Sequence, residues 1–528
     1  MVPMGTPGEL WVRGYNVMLG YFNDEEKTRE FIRPDGWAKT GDQFVLQEDG
    51  YARIVGRMKD VIIRIGDKIF PSEIEEFFET HPDIMEAQVF GVPDPKVGEE
   101  ICVYLRLREG VTITEQDVID FCKDKIAHYR IPRYIRFTSE FTRTSTTADT
   151  DKEAVYSGIR SLYPIDLTVS LSVCTKEKSM VSRSPISMYK PSYLHRPGAE
   201  PLFALTLGQL AQKAAEEWGE KEALVSVYEE QHYTFREVLE EADRLAAGLL
   251  QLGLKPGDRL GIWGPNSSDW YISRVAAARA GLIAVQIDPA YQPPELLHAL
   301  VKVEAKALIC AEQFKCSSCY ETVQALIPEL NKSAEGGTEI TSSKLPALKT
   351  LIVMSNKQYR GAYRLKDIIS SASTEYIKEV NQLQTLIQPD DGCTIQFSSG
   401  TTGNPKAVLQ SHHAMVNVSY FFTKNLEFDT MDGRFCVVTQ FCHGVGTYFG
   451  IICSLQFGYT VILPSPIFDA KKSLEAIIRE RCTHLIATPS LYVDLINTSQ
   501  DLNLKVTTLQ VAAYAGAPCS QQLALQIK

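Results

Sequence analysis

At 528 residues, with 44% apolar and 23% charged side chains and a formal net charge of -11, the chain has the composition of a soluble globular protein long enough for more than one domain. The acidic balance argues against a nucleic-acid footprint, and the longest apolar stretch, Tyr448 to Pro464, is broken by Gln456, Gly458 and Thr460, so it reads as buried core rather than a membrane span. Twelve cysteines scattered through the chain suit a reducing compartment, and the lone Cys316-Ser-Ser-Cys319 lacks a second pair at zinc spacing.

The opening residues carry no signal or transit pattern and run at once into Glu9-Leu-Trp-Val-Arg13, which reads as a strand. Asp42, after Gly41, reads locally as a turn residue. Phe44 to Leu46 and Tyr51 to Val55, joined through Glu48-Asp49-Gly50, read as a hairpin. Ser72 and Glu75 have capping-box spacing, opening a helix with Ile74, Phe77 and Phe78 on one apolar face. Met85 to Val92 and Ile101 to Leu107 read as strands. Thr114 to His128 reads as a helix with Val118, Ile119, Phe121, Cys122 and Ile126 inward. Arg130 to Phe137 then closes a compact α+β unit of about Asp60 to Glu140.

Residues 157–201 are rich in Ser, Pro and Tyr and read as a linker. Thr234 and Glu237 form a second capping box, followed at helical spacing by Val238, Leu239, Ala242, Leu245 and Leu249. Gly253 ends that helix, and Lys255-Pro-Gly-Asp-Arg259 turns into a strand at Leu260 to Trp263. Another helix leads to Leu282 to Ile287. Helices alternating with buried strands argue for an α/β unit with a largely parallel sheet.

The apolar run Cys393 to Phe397 precedes Ser398-Ser-Gly-Thr-Thr-Gly-Asn-Pro-Lys406. Glycines allow close backbone approach, and successive N–H groups turned to one point make an anion-binding concavity. The hydroxyls and Lys406 add donors and a positive charge. The stretch is a candidate phosphate loop, though not of the Walker A type. On composition alone, a flexible surface loop fits equally well. His412 and His413 fall at a helix start and are assigned no role. Leu485 to Ser490 reads as a strand end and turn.

Ser398 to Ala407, S-S-G-T-T-G-N-P-K-A, resembles the phosphate-loop signature of adenylate-forming enzymes: acyl-CoA synthetases, luciferases and peptide-synthetase adenylation domains. Ala407 stands where that family usually has glycine. Gly8 to Tyr21 resembles the family's G-E-L…G…G-Y segment, Trp37 to Asp42 its T-G-D motif, and Gly56 to Glu76 the hinge between its domains. Gln440-Phe-Cys-His-Gly-Val-Gly446 and Tyr514-Ala-Gly-Ala-Pro518 resemble two further motifs. The resemblance implies an α/β fold, with a large domain of parallel sheets, helices and a small β-barrel part beside a small α+β domain. It places Ser398, Ser399, Gly400, Thr401, Thr402, Gly403 and Lys406 on the phosphates of ATP or AMP. Gly516, Ala517 and Pro518 fall against adenine, Asp42 on the ribose hydroxyls and Arg57 on the nucleotide. Two catalytic positions are implied: Lys59 as the hinge pivot and His443 beside the reacting carboxylate. Gly66 lies on the CoA channel, where a side chain would obstruct. The local alternatives are a solvated basic patch for the hinge and a buried, hydrogen-bonded histidine for His443.

The implied reaction is attack of a fatty acid carboxylate on the α-phosphate of ATP, with Mg²⁺, followed by attack of the CoA thiol on the acyl-adenylate. Ile395 to Lys406, Gly257 to Ser267 and Pro191 to His195 are similar to the mitochondrial medium-chain acyl-CoA ligases. That implies a medium-chain acid and a mitochondrial address, while a chain opening without a presequence reads as cytoplasmic. Neither nucleic acid nor a transmembrane segment is implied, and the oligomeric state is open.

The order departs from the family. Residues 1–58 correspond to the distal part of the large domain, 59–155 to the small domain, 156–200 to a linker and 201–528 to the N-terminal part of the large domain. The resemblance therefore implies a circularly permuted, incomplete chain, or a fusion of two tandem gene copies; the second is the expectation, because permutation should not delete a metal ligand. The family's Y-G-x-T-E, with its adenine-stacking tyrosine and magnesium-binding glutamate, is not found, and Ser373-Thr374-Glu375 is not a copy. The lysine of its P-x-T-x-S-G-K falls on Ala148, with Lys152 the nearest substitute. Both departures fall on adenylation, so the ligase is expected to be impaired. The alternatives are a non-catalytic nucleotide- or acyl-binding remnant and a non-functional fusion.

Overall fold

The computed structural model describes residues 1–58, 61–64, 67–94, 98–108, 110–123, 125–126, 130–139, 190–195, 198–398, 405–426, 428, 432–515, 519 and 521–527. They fall into two compact units, the first made of Met1–Val12, Arg33–Thr144 and Asp149–Glu200, the second of Arg13–Ile32, Ser145–Ala148 and Pro201–Lys528.

In the first unit, Gly8–Val12, Ala38–Leu46 and Ala52–Arg57 form an antiparallel three-stranded sheet. The expected hairpin is there, with a longer first arm that takes in the T-G-D motif. A second sheet runs Asp67–Ile69, Ile62–Arg64, Gly98–Leu107, Ile84–Asp94, and Tyr134–Phe137 joins Gly98–Leu107 in parallel. The Pro71–Glu79 and Glu115–Cys122 helices close a core of Ile62, Ile69, Ile74, Phe78, Val103 and Val118.

Two local expectations change. Ser72 is not the N-cap that a capping box with Glu75 requires: Phe70 is the N-cap, without a side-chain bond, and Pro71 takes the first turn. Proline has its φ preset for that position and no N–H to leave unpaired. Glu75 instead turns its Oε1 to accept the Val89 N–H at 2.8 Å. The second helix ends at Cys122 rather than His128, with Lys123 as its C-cap; His128 lies outside the described residues.

The second unit holds two mostly parallel sheets. The eight-stranded one runs Tyr363–Arg364, Thr350–Met354, Ala307–Ala311, Arg259–Trp263, Ile283–Ile287, Gly392–Ser398, Lys406–Ser411, Gly20–Tyr21. Its last two strands are antiparallel to their neighbours. The six-stranded one runs Gln231–Thr234, Glu222–Ser226, Thr460–Leu463, Arg434–Cys436, His484–Ala487, Val511–Tyr514. The Thr234/Glu237 capping box forms at the head of the Phe235–Gln251 helix, whose Val238, Ala242, Leu245 and Leu249 are buried. The Ser268–Arg279 helix is buried on nearly every face, as its lack of a polar stripe requires. Tyr448 to Pro464 is buried helix and strand, and among the described residues no helix is long and apolar enough to cross a membrane.

Candidate functional site

Parallel pairing of Ile283–Ile287 with Gly392–Ser398 sets Gln286 beside Gln396 and brings the carboxyl ends of both strands to one rim of the sheet. In open α/β sheets that rim is where ligands bind. Asp288 follows the first strand. The second ends at Ser398, and across the antiparallel hairpin Ser398 stands opposite Lys406. The two ends of the candidate phosphate loop are thus fixed face to face. Ser399, Gly400, Thr401, Thr402 and Gly403 lie outside the described residues.

Beside this hairpin runs an amide network. Gln396 Nε2 donates to Gln286 Oε1 at 2.6 Å and to the Cys442 carbonyl at 3.3 Å. Gln286 Nε2 donates to Thr447 Oγ1 at 2.9 Å, and Thr447 Oγ1 donates to the Phe441 carbonyl at 2.6 Å. From the Arg259–Trp263 strand end, Asn266 takes the Phe441 N–H at 2.7 Å and gives to the Thr439 carbonyl at 2.8 Å. The segment 439–447 is therefore sewn to the sheet on both sides, and His443 is the N-cap residue of its Gly444–Thr447 turn of helix.

His443 presents Nε2 to Asp288 Oδ2 at 3.8 Å. Asp288 is 7% exposed; its Oδ1 accepts the Ala290 N–H at 2.8 Å, its carbonyl accepts from Trp263 Nε1 at 3.0 Å, and its buried Oδ2 has no hydrogen-bond donor among the described residues. Burial pushes the Asp288 carboxyl up, opposed by the Ala290 N–H and by His443. Burial pushes the His443 imidazole down, opposed by Asp288. His443 is thus not the hydrogen-bonded buried histidine of the local alternative, since 3.8 Å is beyond hydrogen-bond reach.

Lys406 lies with Nζ 4.9 Å from the centre of the Tyr21 ring, within cation–π range. Tyr21 is brought there by the Gly20–Tyr21 strand, which pairs with Lys406–Ser411. In the first unit, Asp42 is register partner to Arg57 across the hairpin. Asp42 sits in a strand rather than the turn expected locally. Gly41, at φ +76°, bends that strand, and the Asp42 N–H donates to Thr40 Oγ1 at 3.1 Å. Of Arg57 only the backbone is described. Lys59, Gly66, Ala148, Lys152, Gly516, Ala517 and Pro518 lie outside the described residues.

Residues 211–528 match the family model for AMP-binding enzyme, and residues 73–147 match that for the AMP-binding enzyme C-terminal domain. The chain belongs to the AMP-binding enzyme family. Among its relatives are the medium-chain acyl-CoA ligase ACSF2, mitochondrial, of Danio rerio, 36% identical over 337 residues, and the Homo sapiens protein of the same name, 36% identical over 336. These matches cover 64% and 63% of this chain and 55% and 54% of the relatives, so the chain spans about half the length of the curated relatives it matches. The inhibitor-bound N-terminal domain of FACL13 from Mycobacterium tuberculosis superposes with a TM-score of 0.52 at 20% identity, covering 61% of this chain and 72% of that one, a likeness of fold. The expected adenylate-forming α/β class is therefore found.

In this AMP-binding enzyme the Cys316/Cys319 pair divides. Cys316 is exposed, whereas Cys319 is buried at the start of the Cys319–Leu326 helix, which pushes its thiol up to about 12. No three His, Cys, Asp or Glu side chains gather into a metal-binding group among the described residues. Sequence motifs pointed to Ser398, Lys406 and His443 but passed over Asp288, Asn266 and Gln286. An aspartate before a proline reads as a turn, and the two amides are legible only once the strands are paired.

Proposed function

We propose that this AMP-binding enzyme is an ATP-dependent fatty acid–CoA ligase acting through an acyl-adenylate. The observation that carries the reading is the hairpin that sets Ser398 opposite Lys406 at the carboxyl rim of a parallel sheet, joined through the Gln396 and Gln286 amides to the turn bearing His443. An oxygen of the fatty acid carboxylate attacks the α-phosphorus of ATP and pyrophosphate leaves. The CoA sulfur then attacks the acyl carbon and AMP leaves. The loop from Ser398 to Lys406 holds the phosphates, and Lys406 exchanges the Tyr21 ring for them. Asp42 takes the ribose hydroxyls, Arg57 the nucleotide, and residues 516–518 the adenine. His443 stands beside the reacting carboxylate. Lys59 is the pivot between the two steps, and Gly66 keeps the CoA channel open. The described residues offer no ready cage for Mg²⁺, and no step here passes through it. Medium-chain acids, mitochondrial residence and an inverted order of the family's segments belong to the same proposal, supported by the relatives' names and by the C-terminal-domain match at 73–147 preceding the main one.

Ala148, standing where the family's adenylation lysine falls, favours a slowed enzyme or, as the second reading, a nucleotide-binding remnant. Pyrophosphate release from ATP, Mg²⁺, octanoate and CoA tests the first. Lys406→Ala is expected to lower it by ~10²–10³, the usual loss for one electrostatic stabiliser. Turnover indifferent to Lys406→Ala rejects the site. No turnover, with a thermal midpoint raised by ATP, selects the remnant.

A further inference from the structure

We propose that Asp288 is the positioning residue for His443, holding the imidazole by its Nε2 edge so that Nδ1 is left for the acyl substrate. Three features of the geometry support it. The Asp288 carboxyl is almost fully buried, and among the described residues its Oδ2 faces no donor other than the imidazole, 3.8 Å away. A buried carboxylate oxygen without a donor is costly unless a positive partner faces it. The backbone of Asp288 is pinned through the Trp263 indole and its Oδ1 through the Ala290 N–H, so only the imidazole can adjust. The imidazole itself is a third exposed, and among the described residues its only partner is Asp288.

Among the described residues the other charges acting on Asp288 are Glu295, which disfavours its ionised form, and Lys315, which favours it; the Tyr291 hydroxyl and Cys442 thiol are both pushed up, in part by its charge. None of these offers Oδ2 a hydrogen bond. Burial moves the carboxyl up and the imidazole down, while each charge favours the other's ionised form. The negative charge of Asp288 favours a proton on the Nε2 that faces it, and so leaves Nδ1 as the group that meets a ligand. This rests on the ligase reading, in which His443 lies beside the reacting carboxylate.

The test is NMR titration of the His443 ring in the full chain. In Asp288→Asn the ring loses the carboxylate that favours its charged form, so its midpoint moves to lower pH; Asp288→Glu returns it toward the original. An unmoved midpoint overturns the pairing. Should Asp288→Asn not fold, the reciprocal variant decides: in His443→Gln the Asp288 carboxyl titrates at higher pH, and no shift again overturns it. In the ligase assay, Asp288→Asn lowers kcat/KM for octanoate by about 10-fold or more, the scale of a group misplaced by a fraction of an ångström, with the pH profile moving as the ring titration does. An unmoved profile overturns the positioning role. A wild-type chain without turnover fails the ligase reading alone, because the ring titration still decides the pair.

Discussion

One methyl group separates Ala407 from the glycine that the family usually carries after its phosphate-loop lysine. The restriction of alanine to negative φ has no effect here. Ala407 is a strand residue opposite Phe397, fully buried in the same core as Val285 and Ile395, with its carbonyl accepting the Phe22 N–H at 2.8 Å. The methyl fills the core of the sheet beside Lys406. Ala407→Gly is expected to lower unfolding free energy by about 1–2 kcal/mol, through lost burial and a looser unfolded chain; a denaturant midpoint equal to wild type would contradict this. The glycines beside His443 differ from each other in the same spirit. A Cβ on Gly446 would meet the Gln440 carbonyl oxygen at 2.1 Å and Phe441 Cα at 2.8 Å, whereas one on Gly444 meets nothing nearer than the Tyr448 ring at 3.8 Å. Gly446→Ala therefore destabilises by about 1–3 kcal/mol or more, and Gly444→Ala much less. Equal thermal midpoints for the two would mean that the turn is not held as tightly as its hydrogen bonds require.

At the level of elements, two helix starts with the same pattern turn out differently. Ser72-x-x-Glu75 and Thr234-x-x-Glu237 both spell a capping box, yet only the second forms, with Thr234 accepting the Glu237 N–H at 3.2 Å and its own N–H reaching the Glu237 carboxylate at 2.8 Å. Thr234 ends a strand and is free to take the extended cap conformation. Ser72 follows a proline that has already started the helix, so its partner is released for another task. Glu75 ties the Pro71–Glu79 helix to the Ile84–Asp94 strand through the Val89 N–H. Glu75→Ala should cost about 1–2 kcal/mol by stripping a part-buried donor of its acceptor. Hydrogen exchange at Val89 should rise selectively; unchanged protection there would show that the carboxylate is not what holds the two elements together.

Over the whole molecule, the strands and helices were legible because buried apolar runs alternate with turn residues, and the loop because its composition is unusual. What stayed hidden depends on pairing between distant segments: Gln286 under Gln396, Asn266 under Phe441, Asp288 against His443. Buried histidines belong to the same class and carry a consequence for acid stability. His412 takes the Leu207 N–H on Nδ1, and burial with Arg274 nearby holds it at about 3. His484 lies between Phe428 and Tyr459, its Nε2 buried without a partner among the described residues, and burial holds it at about 4. Both fold as neutral rings and take up protons near 6.5 once unfolded. Between those limits the unfolded chain binds more protons, so their contribution is intact above about pH 6.5 and drains away as pH falls. Asp269 and Glu79, raised by burial to about 6 and about 7, act in the opposite sense over much of the same range. The net slope is a difference of opposed parts, and one histidine has to be isolated by comparison. His484→Phe keeps an aromatic ring in the stack and removes the titration. Whatever its stability at about pH 7.5, the variant should gain on wild type by about 2 kcal/mol on going to about pH 5. Paired chemical-denaturation curves at the two pH values measure that gain, and a stability difference that does not change with pH would show that His484 is not held neutral by its surroundings.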